Sequence, residues 1–109
     1  MKEIKAFVHR NRVADIVHAL RNAGLCSGDR NLSVVDVTGT LKALDAQEQN
    51  FSLELGQEAI TEVKLELVCE DGCADEAVQI IRKNGHTGQT LAGWVYVSDI
   101  GAAYPIDGS

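Results

Sequence analysis

The chain is poor in the features that usually identify an enzyme, a membrane span or a nucleic-acid binder. Its 109 residues hold 10 lysines and arginines against 16 aspartates and glutamates, a net charge of −6. No strongly basic face for a phosphate backbone can be built from that balance, which excludes nucleic acid as the main partner. No apolar run approaches the roughly 20 residues that a bilayer crossing needs, which argues against direct membrane insertion. The start, Met1-Lys2-Glu3-Ile4, passes straight into an alternating pattern and lacks a signal peptide's apolar stretch. Three cysteines are an odd number and too few for a disulfide framework, in keeping with a reducing compartment. A cytoplasmic location is expected. There is no Walker glycine loop, no G-x-S-x-G and no His-Glu-x-x-His. Glu62, Glu66 and Asp99 fall on predicted strands without the partners of a tuned acid–base pair, so no catalytic residue is assigned and no enzyme is expected.

What the sequence does contain is one pattern stated twice. Ile4, Ala6 and Val8 alternate, then Val13, Ile16, Val17 and Leu20 follow at helical spacing, closed by Gly24. Shifted by 61 positions, Leu65, Leu67 and Cys69 alternate, then Ala74, Ala77, Val78 and Ile81 follow, closed by Gly85. The period changes from 2 to 3.6 in each half, which reads as strand then helix. A β-rich run follows each helix, Leu32 to Val37 and Trp94 to Ile100. The order βαβ–βαβ predicts a single α+β domain over 1–109: a ferredoxin-like antiparallel sheet with two helices on one face. That plan hosts many functions, so function must be read from what decorates it.

Local signals place the elements. Asn11 is the expected N-cap of the first helix, with Asp15 in its first turn, and Gly24 its left-handed terminator. Leu25 to Arg30 reads as a loop and Asn31 to Gly39 as a β-branched strand. Ile60 to Cys69 alternates, with Val63, Leu65 and Leu67 inward and Glu62, Lys64 and Glu66 outward. Asp71 is the expected cap of the second helix, which ends near Lys83. The last strand spans Gly93 to Ile100, and the tail Ala102 to Ile106 is expected as an extended edge segment, because Pro105 cannot donate to a ladder. Between the strands, residues 40–56 read as a long, partly hairpin excursion with a polar centre from Asp45 to Asn50; the alternative is an extended two-stranded arm that packs against a neighbouring subunit. Loops of that length in a compact domain are functional or disordered, and the segment is expected to be mobile when free.

Several blocks in the right order resemble the P-II signal-transduction family, the nitrogen regulatory proteins and their P-II-like relatives. Met1 to Ala6 resembles the family's first strand, and Val37-Thr38-Gly39 its Val-Lys-Gly before the long T-loop. Glu62-Val63-Lys64-Leu65-Glu66-Leu67 resembles the strand after that loop. Thr87-Gly88, four residues, then Gly93-Trp94-Val95-Tyr96-Val97 resembles the B-loop segment Thr-Gly-x4-Gly-Lys-Ile-Phe-Val. The resemblance covers Met1 to about Ile106. It implies a homotrimer with its sheets facing the threefold axis, a small ligand between subunits, and a T-loop that docks on a protein partner such as a membrane transporter or an enzyme. Carried onto this sequence, the ligand-binding residues are Gly39, Glu66, His86, Thr87, Gly88, Gly93 and Trp94, and the partner-binding residues are Leu44, Gln47, Asn50, Phe51 and Leu53.

The departures from the family pattern bear on the ligand. Nucleotide-binding members carry Gly-Asp-Gly-Lys where this chain has Leu91-Ala92-Gly93-Trp94, and an Arg-x-Arg pair where it has Pro105-Ile106-Asp107. Losing a lysine and two arginines and gaining an aspartate removes most of the attraction for a triphosphate. ATP is disfavoured as the ligand, and AMP, ADP or another small ligand is expected instead. The alternative class is a metal-responsive trimer linked to metal efflux, with Cys69 and Cys73 as its ligands. A C-x3-C spacing without a second pair is a weak metal signature, and Cys69 in phase with Leu65 and Leu67 reads first as a core residue. Cys26 falls in the loop after the first helix.

Overall fold

The computed structural model describes residues 1–25 and 31–108. Five strands and two helices follow the expected alternation: β1 (Lys2–Val8), α1 (Val13–Asn22), β2 (Leu32–Gly39), β3 (Asn50–Ser52), β4 (Gln57–Cys69), α2 (Ala74–Asn84) and β5 (Trp94–Asp99). The sheet is antiparallel, in the order β2-β4-β1-β5, with β3 paired to the far end of β4. This is the α+β, ferredoxin-like arrangement that the repeated pattern predicts.

Register explains which side chains are dry. Ile4 faces Leu67 and Val97, and Ala6 faces Leu65 and Val95. These alternate positions all point at the helices, and Ile4, Ala6, Leu65 and Leu67 are buried with Val8, Val63 and Cys69. Helix α1 contributes Ile16 and Leu20, and α2 contributes Ala74, Ala77 and Ile81, at the i, i+4 and i+3, i+4 spacings that form one stripe. Burying a side chain the size of Ile or Leu stabilises the fold by about 1.5–3 kcal/mol. Arg12 ties the helices together by donating through Nε to the carbonyl of Asn84 at 2.8 Å.

Helix α1 ends as expected. Gly24 takes φ +78°, while its N–H and that of Leu25 bond to the carbonyls of Arg21 and Leu20. The helix starts differ from expectation. Asn11 lies inside a single 3-10 turn, Arg10–Arg12, and caps nothing. Arg12 takes the cap position and pairs with Asp15 at 2.9 Å. Asp71 likewise sits in a 3-10 turn, Asp71–Cys73, with no capping bond, and accepts from the Met1 ammonium at 2.5 Å instead. That contact holds the Asp71 carboxyl below the usual carboxylate range. Residues 101–108 form no strand; Ile100 donates to the carbonyl of Met1, after which Tyr104 and Ile106 lie exposed. The expected edge segment therefore makes no ladder. The predicted loop over Cys26 to Arg30 lies outside the described residues.

Residues 40–56 form an arm that is partly hairpin. Strand β4 is 13 residues long and runs past the ends of both neighbours. Its first residues pair with β3, from Asn50 with Ala59 to Ser52 with Gln57. The hairpin closes through Leu53–Gly56, where Gly56 takes φ +69° and its N–H bonds to the Ser52 carbonyl at 2.8 Å. Before the hairpin, Asp45 accepts from the N–H groups of Gln47 and Glu48 at 3.0 and 3.1 Å and shapes a short turn over Ala46–Glu48.

Candidate functional site

The turn after α2 and the root of the arm meet at one place. Thr87 Oγ1 donates to Gln89 Oε1 at 2.7 Å, and the Gln89 N–H donates back to Thr87 Oγ1 at 3.3 Å. Held this way, Gln89 donates through Nε2 to the carbonyls of Lys42 and Ala43 at 3.0 and 3.2 Å. Gly88, at φ +90°, supplies the turn, and its N–H donates to His86 Nδ1 at 3.0 Å. A recess of about 540 Å³ lies between the two segments, lined by Thr40, Leu41, Lys42, Gly88, Thr90 and Trp94 among others. A neighbouring recess of about 420 Å³ runs along the same turn to α2, with His86, Gly93, Trp94, Ile81 and Arg82 on its walls. Both are the size of small-molecule sites and share Gln89, Thr90, Leu91 and Trp94.

Of the residues expected to bind ligand, the structure brings His86, Gly88, Gly93 and Trp94 to these two recesses. Thr87 acts one step back, through Gln89. Gly93 is fixed by space, because a Cβ there would overlap the carbonyl oxygen of Phe7. Two expected residues lie elsewhere. Gly39 packs against the Glu62 carboxyl, which a Cβ would overlap. Glu66 is on the open face of the sheet, 3.1 Å from Lys64, and lines a separate depression of about 430 Å³ with Glu3, Ser33 and Tyr104. Within one chain the seven residues are thus divided between two regions.

Trp94 stands where a charge would be expected. It is half exposed, stacks on Tyr96 at 6.3 Å with 12° between the rings, and Tyr96 in turn meets Phe7 edge-on at 6.0 Å. Among the described residues, Lys42 and Arg82 are the lysine and arginine that line the two recesses. Gln89, Lys42 and Arg82 were not legible as site residues, since nothing in their spacing separates them from ordinary surface polar groups.

Glu62 corrects the strand pattern. Expected to face outward, it is on the open side of the sheet but only 4% exposed, and its Oε2 accepts the Leu41 N–H at 3.1 Å. Burial pushes its carboxyl above the usual range, partly offset by that hydrogen bond and by nearby His9. The expected docking residues of the arm are all exposed, Leu44, Gln47, Asn50, Phe51 and above all Leu53 at 91%. Cys69 is buried in the core and Cys73 packs against it as a half-buried neighbour of that cluster. Burial, Cys73 and the acidic neighbours push the Cys69 thiol up, away from the thiolate that a soft metal needs. Among the described residues no group of three or more His, Cys, Asp or Glu side chains is placed to hold a metal. No helix among them is long and apolar enough to cross a membrane.

The structure thus joins a ferredoxin-like domain to a protruding arm, with a recess against the root of that arm. The family model described as nitrogen regulatory protein P-II matches residues 1–107, and the chain belongs to that family. Relatives include nitrogen regulatory protein P-II 1 of Methanothermobacter thermautotrophicus, 25% identical over 100 residues that cover 92% of this chain and 84% of the relative. Nitrogen regulatory protein P-II of Mesorhizobium japonicum is 28% identical over 100 residues, covering 92% and 86%. The nitrogen fixation nifHD region glnB-like protein 1 of Methanococcus maripaludis is 27% identical over 107 residues, covering 97% and 93%. The chain is a regulatory protein of the P-II family and, at these identities, a divergent one.

Proposed function

We propose that the protein is a non-catalytic, cytoplasmic homotrimer that binds a small ligand between subunits and controls a protein partner through residues 40–56. The observation that carries this is the Gln89 bridge. It makes the recess wall and the root of the arm one hydrogen-bonded unit, so a ligand that moves the turn moves the arm. The open sheet face supports assembly. Val35 on one edge strand and Trp94 and Tyr96 on the other are each about half exposed there, with Lys64, Glu66 and Lys5 between them, and exposed apolar side chains of this size at both edges suit a partner surface. In a trimer the depression at Glu66 and the recess at Trp94 can belong to one cleft shared by neighbouring subunits.

The ligand is a small molecule less negatively charged than ATP, of which AMP and ADP are candidates, because Trp94 and the run Pro105-Ile106-Asp107 supply none of the cations that a triphosphate draws on. The partner is a transporter or an enzyme whose surface accepts the exposed arm residues, with Phe51 the central anchor. Deleting Ala43 to Asn50 tests the output role. The account expects an intact trimer in sedimentation equilibrium at micromolar concentration together with the loss of partner pull-down. A monomer, for either the deletion variant or the parent chain, contradicts it.

A further inference from the structure

One buried cluster has no role in the recess or the helix-covered core. Val8 with Val63 is the last β1–β4 pair, so His9 stands one step further on, facing Glu62 on the open side of the sheet. His9 is only 1% exposed. Glu48 reaches it from the short turn of the arm. Its Oε2 lies 3.2 Å from His9 Nδ1, while its Oε1 accepts the Leu44 N–H at 2.6 Å. A single carboxylate thus joins the arm to the body and closes the arm on itself.

Docking here leaves a polar atom unmet. His9 Nε2 is buried with no hydrogen-bond partner among the described residues, and the Glu62 carboxyl, bonded to the Leu41 N–H, is also held away from water. Lifting the arm would hydrate both, which favours opening. Little apolar burial opposes that gain, since none of residues 41–49 is buried. The arm therefore rests on a few directional contacts rather than on a hydrophobic seam, and such an arrangement is close to balance between two positions.

We propose that His9 and Glu48 form a clasp that holds residues 41–49 against the end of the sheet, and that the arm changes position by breaking this pair. The functional weight of the proposal rests on reading the arm as the output element. Opening moves Leu44 and Gln47, whereas Phe51 stays with the β3–β4 ladder. The docking surface would then have a movable half and a fixed half.

Backbone amide hydrogen exchange on the full-length protein tests the clasp, with wild type compared to His9→Phe, Glu48→Ala and the double variant. His9→Phe keeps a ring in the site, removes both nitrogens and leaves every hydrogen bond within the arm in place. The expected result is exchange at Leu41 and Leu44 faster by about tenfold or more in His9→Phe, the loss of one charge-assisted contact. The double variant should gain no more at Leu41 than either single variant, and the amides of β1 and β4 should be unchanged. Equal exchange at Leu41 and Leu44 in wild type and His9→Phe would overturn the proposal, as would a rise that extends through β1 and β4. The measurement involves no partner, so the clasp and the output reading fail independently.

Discussion

The two faces of the sheet are built on different physics. On the helix side, Ile4, Leu65, Ile16, Leu20 and Ile81 are buried in one apolar cluster, held by a non-directional effect. On the open side, near the arm, His9 and Glu62 are as well buried, yet their surroundings are polar and held by single hydrogen bonds. A core of the first kind resists change because each side chain touches many others. The second kind can adopt another arrangement, because a few bonds decide its position. A regulatory protein needs both in one small domain.

Substitutions should separate the two faces by size and by spread of effect. The largest loss is expected on the helix side, where Leu65→Ala leaves a cavity and should cost about 2–5 kcal/mol in chemical denaturation. Leu53→Ala, at the exposed tip of the arm, should change stability by less than about 0.5 kcal/mol. A comparable loss at both positions would erase the distinction between core and arm.

The glycines sharpen the comparison. Gly93→Ala drives a methyl group into the Phe7 carbonyl, a backbone atom that cannot swing aside, and should cost more than about 2 kcal/mol while closing the recess beside Trp94. Gly39→Ala meets only the end of the Glu62 side chain, which can rotate away at the expense of its bond to Leu41. Its cost should be about 1–2 kcal/mol. Thermal unfolding of the two variants gives the order directly, and a Gly39→Ala loss larger than that of Gly93→Ala contradicts it.

A pH dependence is expected at Glu62. Burial raises its folded carboxyl above the ordinary value. Its contribution is therefore fully present below the ordinary carboxylate range and is lost as pH rises through the raised folded value. Glu62→Gln keeps an oxygen for the Leu41 N–H and removes the buried charge. The variant should be the more stable at pH 7 to 8, and the advantage should vanish near pH 4. A wild type more stable than the glutamine variant at pH 8 shows that the charge is better paired than its burial implies.

These regions also differ in how far they could be read from sequence. The helix side was legible residue by residue, because alternation and helical spacing are direct images of burial, and the 61-residue offset repeated the pattern twice. The P-II relationship was legible from short blocks in order, and His86, Gly88, Gly93 and Trp94 were assigned to the region that forms the recesses. Gln89 was not, since its role depends on a contact 47 positions away with the Lys42 carbonyl. Glu62 was misread for a related reason. Alternation gave its face correctly but not the arm that covers it. The helix starts at Asn11 and Asp71 failed where a 3-10 turn took the place of a side-chain cap.

Trp94 is the only tryptophan of the chain, and it lines both recesses. Its fluorescence therefore reports directly on the proposed ligand site. Titration with AMP, ADP and ATP, each with and without magnesium, tests whether this P-II protein has exchanged triphosphate recognition for a ligand of low charge. The account predicts a saturable change with AMP or ADP, weaker binding of ATP and no requirement for magnesium. Tight, magnesium-dependent binding of ATP would contradict it.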